Sequence, residues 1–185
     1  MIRINLPHKS FVEIYENFML LPFDDLKNAI DWKQCHLHIK GNTVAFPRLT
    51  AYYGDHPYRY SGITNPAAKM PGIIKTVADK LNSMNYTCNA VLCNYYRNGN
   101  DSIGWHSDDE REMPIEHCIT SLSIGANRTF KIKAKDKEID QSFILKNGDL
   151  FVMGGKFQQY YEHRVPKEEC NGERINLTFR IIEPK

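Results

Sequence analysis

The sequence predicts a mainly β chain of the α+β kind, a double-sheet jelly roll with helices packed outside, and three observations carry that expectation. Short strand-like segments recur from Ala90 onward, at Ala90–Tyr96, Cys118–Ile124, Arg128–Lys133, Gln141–Leu145 and Asp149–Met153. Helical signals fall only before residue 85. The stretch Arg174–Ile182 alternates strictly, with Arg174, Asn176, Thr178 and Arg180 on one face and Ile175, Leu177, Phe179 and Ile181 on the other. Many short strands with two early helices suit two packed sheets. Such a barrel turns the inward faces of distant strands toward one pocket.

From the N-terminus, Phe11, Val12, Ile14, Tyr15 and Phe18 alternate loosely and suit an edge strand over residues 1–20. Pro22, followed by Asp24 and Asp25, starts a helix that runs to about Ile30 and is ended by Trp32, which by itself reads as a core aromatic. His36–Ile39 and Thr43–Phe46 form a hairpin about Lys40-Gly41-Asn42. No third ligand stands near His36 and His38, which read as solvated strand residues. The stretch from Pro47 to Gly62 holds Arg48, Tyr52, Tyr53, Tyr58, Arg59 and Tyr60. A loop of this composition either stacks a base and holds phosphate, or is a half-buried loop anchored by its rings.

Pro71–Met84 is the clearest helix, with Ile73, Ile74, Val77, Ala78 and Leu81 on one stripe, expected to pack outside a sheet and carry no chemistry. The strand at Ala90–Tyr96 puts Asn94 and Tyr96 on one face. Asp109 to Met113 is an acidic turn, and Asn147-Gly148-Asp149 a tight one. Lys131, Lys133, Lys135 and Lys137 alternate, as the wet face of a strand or as a backbone-binding patch.

Chemistry concentrates at His106-Ser107-Asp108. In an extended chain, residues two apart share a face, so this imidazole and carboxylate can reach one ion. His163 is a third ligand candidate. Two histidines and a carboxylate make the facial triad of non-heme Fe(II) oxygenases, which leaves coordination positions open. A His-x-Asp alone fits a solvated turn equally well. The Arg174–Arg180 face is open to two readings as well: a water-facing strand, or a site for a dicarboxylate, which arginine grips with a two-pronged, charge-assisted fork. The two arginines stand about 20 Å apart on a straight strand. One is therefore expected to grip the acid and the other to sit at its far end or behind the metal.

Asn94-x-Tyr96, His106-x-Asp108, His163 and Arg174-x-Asn176-x-Thr178-x-Arg180, with Pro47-Arg48-Leu49-Thr50-Ala51-Tyr52-Tyr53-Gly54-Asp55 and His163-Arg164-Val165-Pro166, carry a resemblance. From about Trp32 to its end the chain resembles the AlkB family of Fe(II)/2-oxoglutarate dioxygenases. The resemblance implies a double-stranded β-helix (jelly roll) with N-terminal helices outside and a β-hairpin substrate lid. It implies a single domain over 1–185, with an extension and lid over about 1–85 and a catalytic core over about 86–185. His106, Asp108 and His163 would hold Fe(II). Asn94, Tyr96, Arg174 and Arg180 would hold 2-oxoglutarate, with Asn176 and Thr178 on the same face. Trp32, Tyr58, Arg59, Tyr60, Asp109 and Glu110 would shape a base pocket, and Arg48 would tune lesion choice. With O2, the implied reaction yields succinate, CO2 and a hydroxylated N-methyl group that falls apart to formaldehyde and the repaired base.

The implied partner is methylated single-stranded DNA or RNA, with no membrane and a monomeric enzyme. Against the family's duplex specialist, which carries an aromatic wedge at the tip of the corresponding hairpin, this chain has Lys40-Gly41-Asn42. Two other functions stay open: a hydroxylase or demethylase of a protein side chain or metabolite, which the aromatic loop argues against, and a non-catalytic nucleic-acid module, which intact ligand positions argue against.

At 185 residues the chain suffices for one core, and 24 Lys plus Arg against 22 Asp plus Glu give +2, so nucleic-acid binding must come from a local patch. The five cysteines are odd in number and lack Cys-x-x-Cys spacing, as expected of reduced thiols in an intracellular protein, cytoplasmic in a prokaryote or nuclear in a eukaryote. No apolar run reaches the roughly 18–20 residues of a membrane span. The start resembles no signal peptide, and the fold is expected to begin almost at once, without room for a localisation domain.

Overall fold

The computed structural model describes residues 1–39, 42–60, 62–114, 116–136, 139–170 and 172–184. Its elements are β1 (Ile2–Leu6), β2 (Ser10–Tyr15), α1 (Phe23–Ala29), β3 (His36–Ile39), β4 (Asn42–Ala45), β5 (Leu49–Gly54), β6 (Tyr58–Tyr60), β7 (Ile63–Asn65) and α2 (Gly72–Ser83). There follow β8 (Ala90–Tyr96), β9 (Ile103–His106), β10 (Ile119–Gly125), β11 (Arg128–Ala134), β12 (Asp140–Leu145), β13 (Leu150–Gly155), α3 (Phe157–Tyr160), β14 (Tyr161–Val165) and β15 (Arg174–Arg180). A seven-stranded sheet has the order β1-β2-β13-β10-β15-β8-β5, and a four-stranded sheet the order β12-β11-β14-β9. Pairing is antiparallel in both, and β3-β4 and β6-β7 form two separate hairpins. This is a jelly roll: two sheets face to face, with helices on the outer side of the larger one.

Alternation sorts the large sheet into two apolar layers. Val91, Cys93 and Tyr95 of β8 and Ile175, Leu177 and Phe179 of β15 face outward, packing with Ile74, Val77, Ala78 and Leu81 of α2 and Leu26 of α1. Leu92 and Tyr96 face inward, in a second layer with Phe130 and Ile132 of β11 and Phe151 and Met153 of β13. Strand β15 is therefore buried on both faces over its whole length. A polar face buried in this way cannot be the wet side of an edge strand, so the solvated reading of Arg174–Arg180 is overturned.

The expected single strand over residues 1–20 is two, β1 and β2, turned at Pro7–Lys9 with His8 and Lys9 at φ 60 and 55. The aromatic loop expected from Pro47 is a strand over its first part: β5 pairs with β8, Leu49 opposite Tyr95 and Gly54 opposite Ala90. Tyr52 and Tyr53 go to opposite layers, which is why consecutive aromatics concealed the alternation. β1, β2 and β5 share a sheet with β8, β10, β13 and β15, so strand pairing crosses residue 85. Gly148, at φ +84, makes the tight turn before β13. Lys40 and Gly41, the hairpin tip, lie outside the described residues, as does Lys137; the side chains of Leu37 to Ile39 and Tyr60 do too. Among the described residues, no helix is long and apolar enough to cross a membrane.

Candidate active site

Strand pairing explains how residues far apart in sequence meet. β14 lies against β9 with His163 opposite His106, so both imidazoles enter the space between the sheets, their rings 4.2 Å apart. Asp108 lies past the end of β9, so it joins them by a turn and not by strand alternation. Two bonds hold that turn: the Asp108 amide donates to Gln158 Oε1 at 2.9 Å, and the Ser107 hydroxyl to the Tyr161 carbonyl at 2.9 Å. Gln158 comes from the one-turn helix α3 and carried no signal in the sequence.

His106 Nε2 is 3.8 Å from Asp108 Oδ1, and His163 Nε2 is 3.8 Å from Asp108 Oδ2. One ligand atom from each residue lies within 4.8 Å of the others. These separations are too long for hydrogen bonds and suit three ligands of one ion. His106 Nδ1–H donates to the Gly104 carbonyl at 2.9 Å, leaving the Nε2 lone pair for the metal.

Behind the triad stands Arg180, 1% exposed. Its Nη2 approaches Asp108 Oδ2 at 3.4 Å and its Nη1 donates to the Tyr58 hydroxyl at 2.8 Å. Arg180 therefore stands behind the Asp108 carboxylate of the triad. Burial pushes the Asp108 carboxyl up, but Arg180, His163 and His106 outweigh it and bring it down to about 2.

At the other end of β15, Arg174 is also 1% exposed. Its Nη2 donates to Ser123 Oγ at 2.8 Å, while Nε and Nη1 are buried with no hydrogen-bond partner among the described residues. Burial lowers this guanidinium to about 10, with Arg128 acting in the same direction and Tyr96 opposing. A buried cation with two unused donors in one plane fits a carboxylate. Asn94 Oδ1 accepts from Arg48 Nε at 2.7 Å, which makes Arg48 a support for Asn94. Asn176 donates to Ser121 Oγ at 2.7 Å and to the Leu122 carbonyl at 3.1 Å, and its Oδ1 accepts from the Thr178 hydroxyl at 2.8 Å. That ladder pins β15 to β10 more than it offers groups to a ligand. Ser121 and Ser123 were not foreseen, although their alternation on β10 is readable in the sequence. One cavity is lined by His106, Asp108, His163, Asn94, Tyr96, Ser121, Arg174, Asn176, Thr178 and Arg180. The residues present thus fit an Fe(II) ion at one end and a dicarboxylate such as 2-oxoglutarate at the other.

The residues expected at a base pocket scatter. Trp32 is a correction: its Nε1 donates to the Lys27 carbonyl at 3.0 Å and its ring packs 5.2 Å from Tyr95, on the helix side of the large sheet, away from the triad. Arg59 is exposed. Asp109 is exposed too and lies 3.6 Å from Lys135. Tyr58 is fully buried, its ring tilted against Tyr52 at 5.3 Å and its hydroxyl bonded to Arg180, so it supports the site from behind. Glu110 is brought near: burial, then the Asp108 charge, pushes its carboxyl up to about 7. The side chain of Tyr60 lies outside the described residues.

Comparison with known proteins gives this geometry a family. The model of the 2OG-Fe(II) oxygenase superfamily matches residues 23–180. The human "Alpha-ketoglutarate-dependent dioxygenase alkB homolog 3" is 38% identical over 189 residues, covering 96% of this chain and 65% of that protein. The human "DNA oxidative demethylase ALKBH2" is 31% identical over 176 residues, covering 86% of this chain and 67% of that one.

This chain belongs to the AlkB family of 2OG-Fe(II) oxygenases.

A solved structure described as "The structure of OsALKBH1" superposes with a TM-score of 0.63 at 17% identity over 97% of this chain, which shows the shared fold. The chain spans 65% of the length of the human alkB homolog 3.

An AlkB site of this form makes the metal-free protein sensitive to acid. Burial above all, then His106, holds His163 down to about 3, and burial also lowers His106 and His117. Below pH about 6.5 the unfolded chain protonates its histidines while folded His163 stays neutral, so the unfolded state binds more protons and stability falls as pH falls. At pH 5 His163 alone should cost about 2 kcal/mol relative to pH 7.5. Glu110, whose carboxyl is pushed up to about 7, takes up a proton in the folded state over the same interval and opposes this loss. In Glu110→Gln, which removes the opposing group, the melting temperature of chelator-treated protein should drop from pH 7.5 to pH 5; a level or rising one would contradict the assignment.

Proposed function

We propose that this chain is an Fe(II)/2-oxoglutarate-dependent demethylase of N-methylated bases in nucleic acid, acting on single strands in preference to duplex. The observation that carries the reading is the His106–Asp108–His163 cluster in one cavity with Arg174 and its two unpaired N–H groups. The names of relatives that match 96% and 86% of this chain, alkB homolog 3 and DNA oxidative demethylase ALKBH2, support a dioxygenase and a demethylase reading. When bound, the iron and 2-oxoglutarate supply the oxidising power that hydroxylates a methyl group, with O2 as oxidant.

The chain's own residues hold and orient. Arg174 anchors the distal carboxylate of the cosubstrate, with Tyr96 beside it and Asn94 steadied by Arg48. Arg180 fixes the Asp108 carboxylate and links it through the Tyr58 hydroxyl to the β6-β7 hairpin, which we assign to the substrate lid together with β3-β4. Glu110, held up to about 7, can accept or donate a hydrogen bond at the base edge near neutral pH. Residues 1–185 act as one domain, about 1–85 supplying lid and outer strands and about 86–185 the ligands. Five unpaired thiols suit a reducing compartment, cytoplasmic or nuclear, and a monomer meets the needs of this chemistry.

The strand preference rests on residue types at the hairpin tip. Extracting a base from duplex costs a few kcal/mol, which an inserted aromatic side chain can offset. Lys40, Gly41 and Asn42 cannot fill the gap left by a flipped base. Initial demethylation of one methylated oligonucleotide, followed by mass spectrometry with iron and 2-oxoglutarate, should fall by about tenfold or more after its complement is annealed. A duplex rate equal to the single-strand rate would sink the preference, and Lys40→Phe should narrow the gap. Absence of succinate both with and without nucleic acid would defeat the enzymatic reading itself.

A further inference from the structure

Two connections border the cosubstrate end of the cavity. Residues 97–102 join β8, which carries Asn94 and Tyr96, to β9, which carries His106. Residues 166–173 join β14, which carries His163, to β15, which carries Arg174. Four of the strands that build the site therefore enter or leave through these two segments, and both are tied to one side chain on β11.

That side chain is Arg128, 1% exposed. Its Nη1 donates to the Asn98 carbonyl at 3.2 Å and its Nη2 to the Asp101 carbonyl at 2.9 Å, both in the first connection. Nη2 also reaches the Pro166 carbonyl at 2.7 Å, and Nε pairs with Glu168 Oε1 at 2.7 Å, both in the second. Glu168 in turn accepts from the Thr129 amide at 2.9 Å and from its hydroxyl. The two connections also bond directly: Gly99 N–H to the Cys170 carbonyl at 2.7 Å, and Glu168 N–H to the Gly99 carbonyl at 3.1 Å. A Cβ on Gly99 would lie 1.8 Å from the Glu168 carbonyl oxygen, so only glycine allows this approach. The guanidinium of Arg128 stands 5.4 Å from the centre of the Tyr96 ring, and that of Arg174 5.3 Å from the same ring.

We infer that Arg128 and Glu168 form a positioning clamp that locks the two connections together and so fixes the Tyr96–Arg174 pair that receives the cosubstrate's distal carboxylate. The inference deepens the proposed function and rests on its assignment of Arg174. A fork bonded through all three of its nitrogens is a tie and not a ligand, so Arg128 acts through Tyr96 and the strand ends. Arg97, bonded to Asp101 at 2.7 and 2.8 Å, stiffens the first connection from outside.

Glu168 has a side chain 26% exposed, so its removal threatens folding less than removal of Arg128. The full chain with Glu168→Ala should bind 2-oxoglutarate about tenfold more weakly by calorimetry with Mn(II) in place of iron and no nucleic acid. Its Mn(II) affinity should stay within about twofold, and kcat at saturating 2-oxoglutarate should hold while KM rises. Hydrogen exchange at amides 97–101 and 167–170 should quicken. Glu168→Gln, which keeps one acceptor oxygen, should recover part of the affinity. Unchanged exchange would mean that no clamp exists. Faster exchange with wild-type 2-oxoglutarate affinity, or equal loss of metal and 2-oxoglutarate affinity, would reduce it to a general structural tie. Wild-type protein that binds Mn(II) but no 2-oxoglutarate would overturn the role of the clamp together with the Arg174 assignment, and is told apart because the exchange difference would persist.

Discussion

Replacing His163 by alanine is expected to end 2-oxoglutarate turnover, lowering succinate formation by about three orders of magnitude or more, as removal of a ligand should exceed the tenfold to hundredfold cost of losing a supporting residue. The imidazole has no other assignment that explains its position. Its Nε2 faces Asp108 at 3.8 Å, and burial keeps it neutral, with the lone pair free, far below neutral pH. His106→Ala should fail equally. The two variants should differ in stability. His163 is 5% exposed and packs on Phe130 at 5.5 Å and on Phe157 at 6.3 Å, so its truncation leaves a cavity and should cost about 1–3 kcal/mol. The side chain of His106 is 23% exposed and should cost less. Circular dichroism and thermal melts give the stability comparison, and iron-dependent succinate release gives the activity. Wild-type turnover in His163→Ala would mean that the triad is wrongly assigned.

The grouping of His106, Asp108 and His163 was legible because spacing and residue type point to metal chemistry, and the alternation of β15 was legible because it is strict. What the sequence left open was which alternating face meets water. Strand β15 is buried on both sides, a fact that depends on α2 covering one face and β11 and β14 facing the other. Asp108 was foreseen for a reason that does not hold: it joins His106 through a turn anchored by Gln158, not through a shared strand face. Trp32 was misplaced because family position says nothing of side-chain direction; its indole N–H closes the end of α1 instead. Tyr52 and Tyr53 concealed β5 because tyrosine serves both an apolar layer and a polar wall. The pairing of Arg128 with Glu168 escaped notice since an ion pair formed across 40 residues of sequence leaves no local pattern.

The second large effect separates the two arginines of β15. Arg174→Lys keeps the charge and loses the planar fork, so it can no longer bond Ser123 and still offer N–H groups on separate nitrogens to an acid. Affinity for 2-oxoglutarate should fall between about tenfold and a hundredfold, the range expected for one strong charge-assisted pair. Arg180→Lys should act differently. The fork of Arg180 spans Asp108 and the Tyr58 hydroxyl, two partners that one ammonium group cannot hold in the same geometry. Its loss should loosen the Asp108 carboxylate, lowering kcat and metal affinity more than 2-oxoglutarate affinity. Calorimetric titration of each variant with Mn(II), and then with 2-oxoglutarate, separates the two effects. Equal, large losses of 2-oxoglutarate affinity in both would mean that Arg180 also grips the acid, against its bonds to Asp108 and Tyr58. Unchanged affinity in both would remove the dicarboxylate from this strand altogether, and the buried, half-bonded guanidinium of Arg174 would then need another anion to account for it.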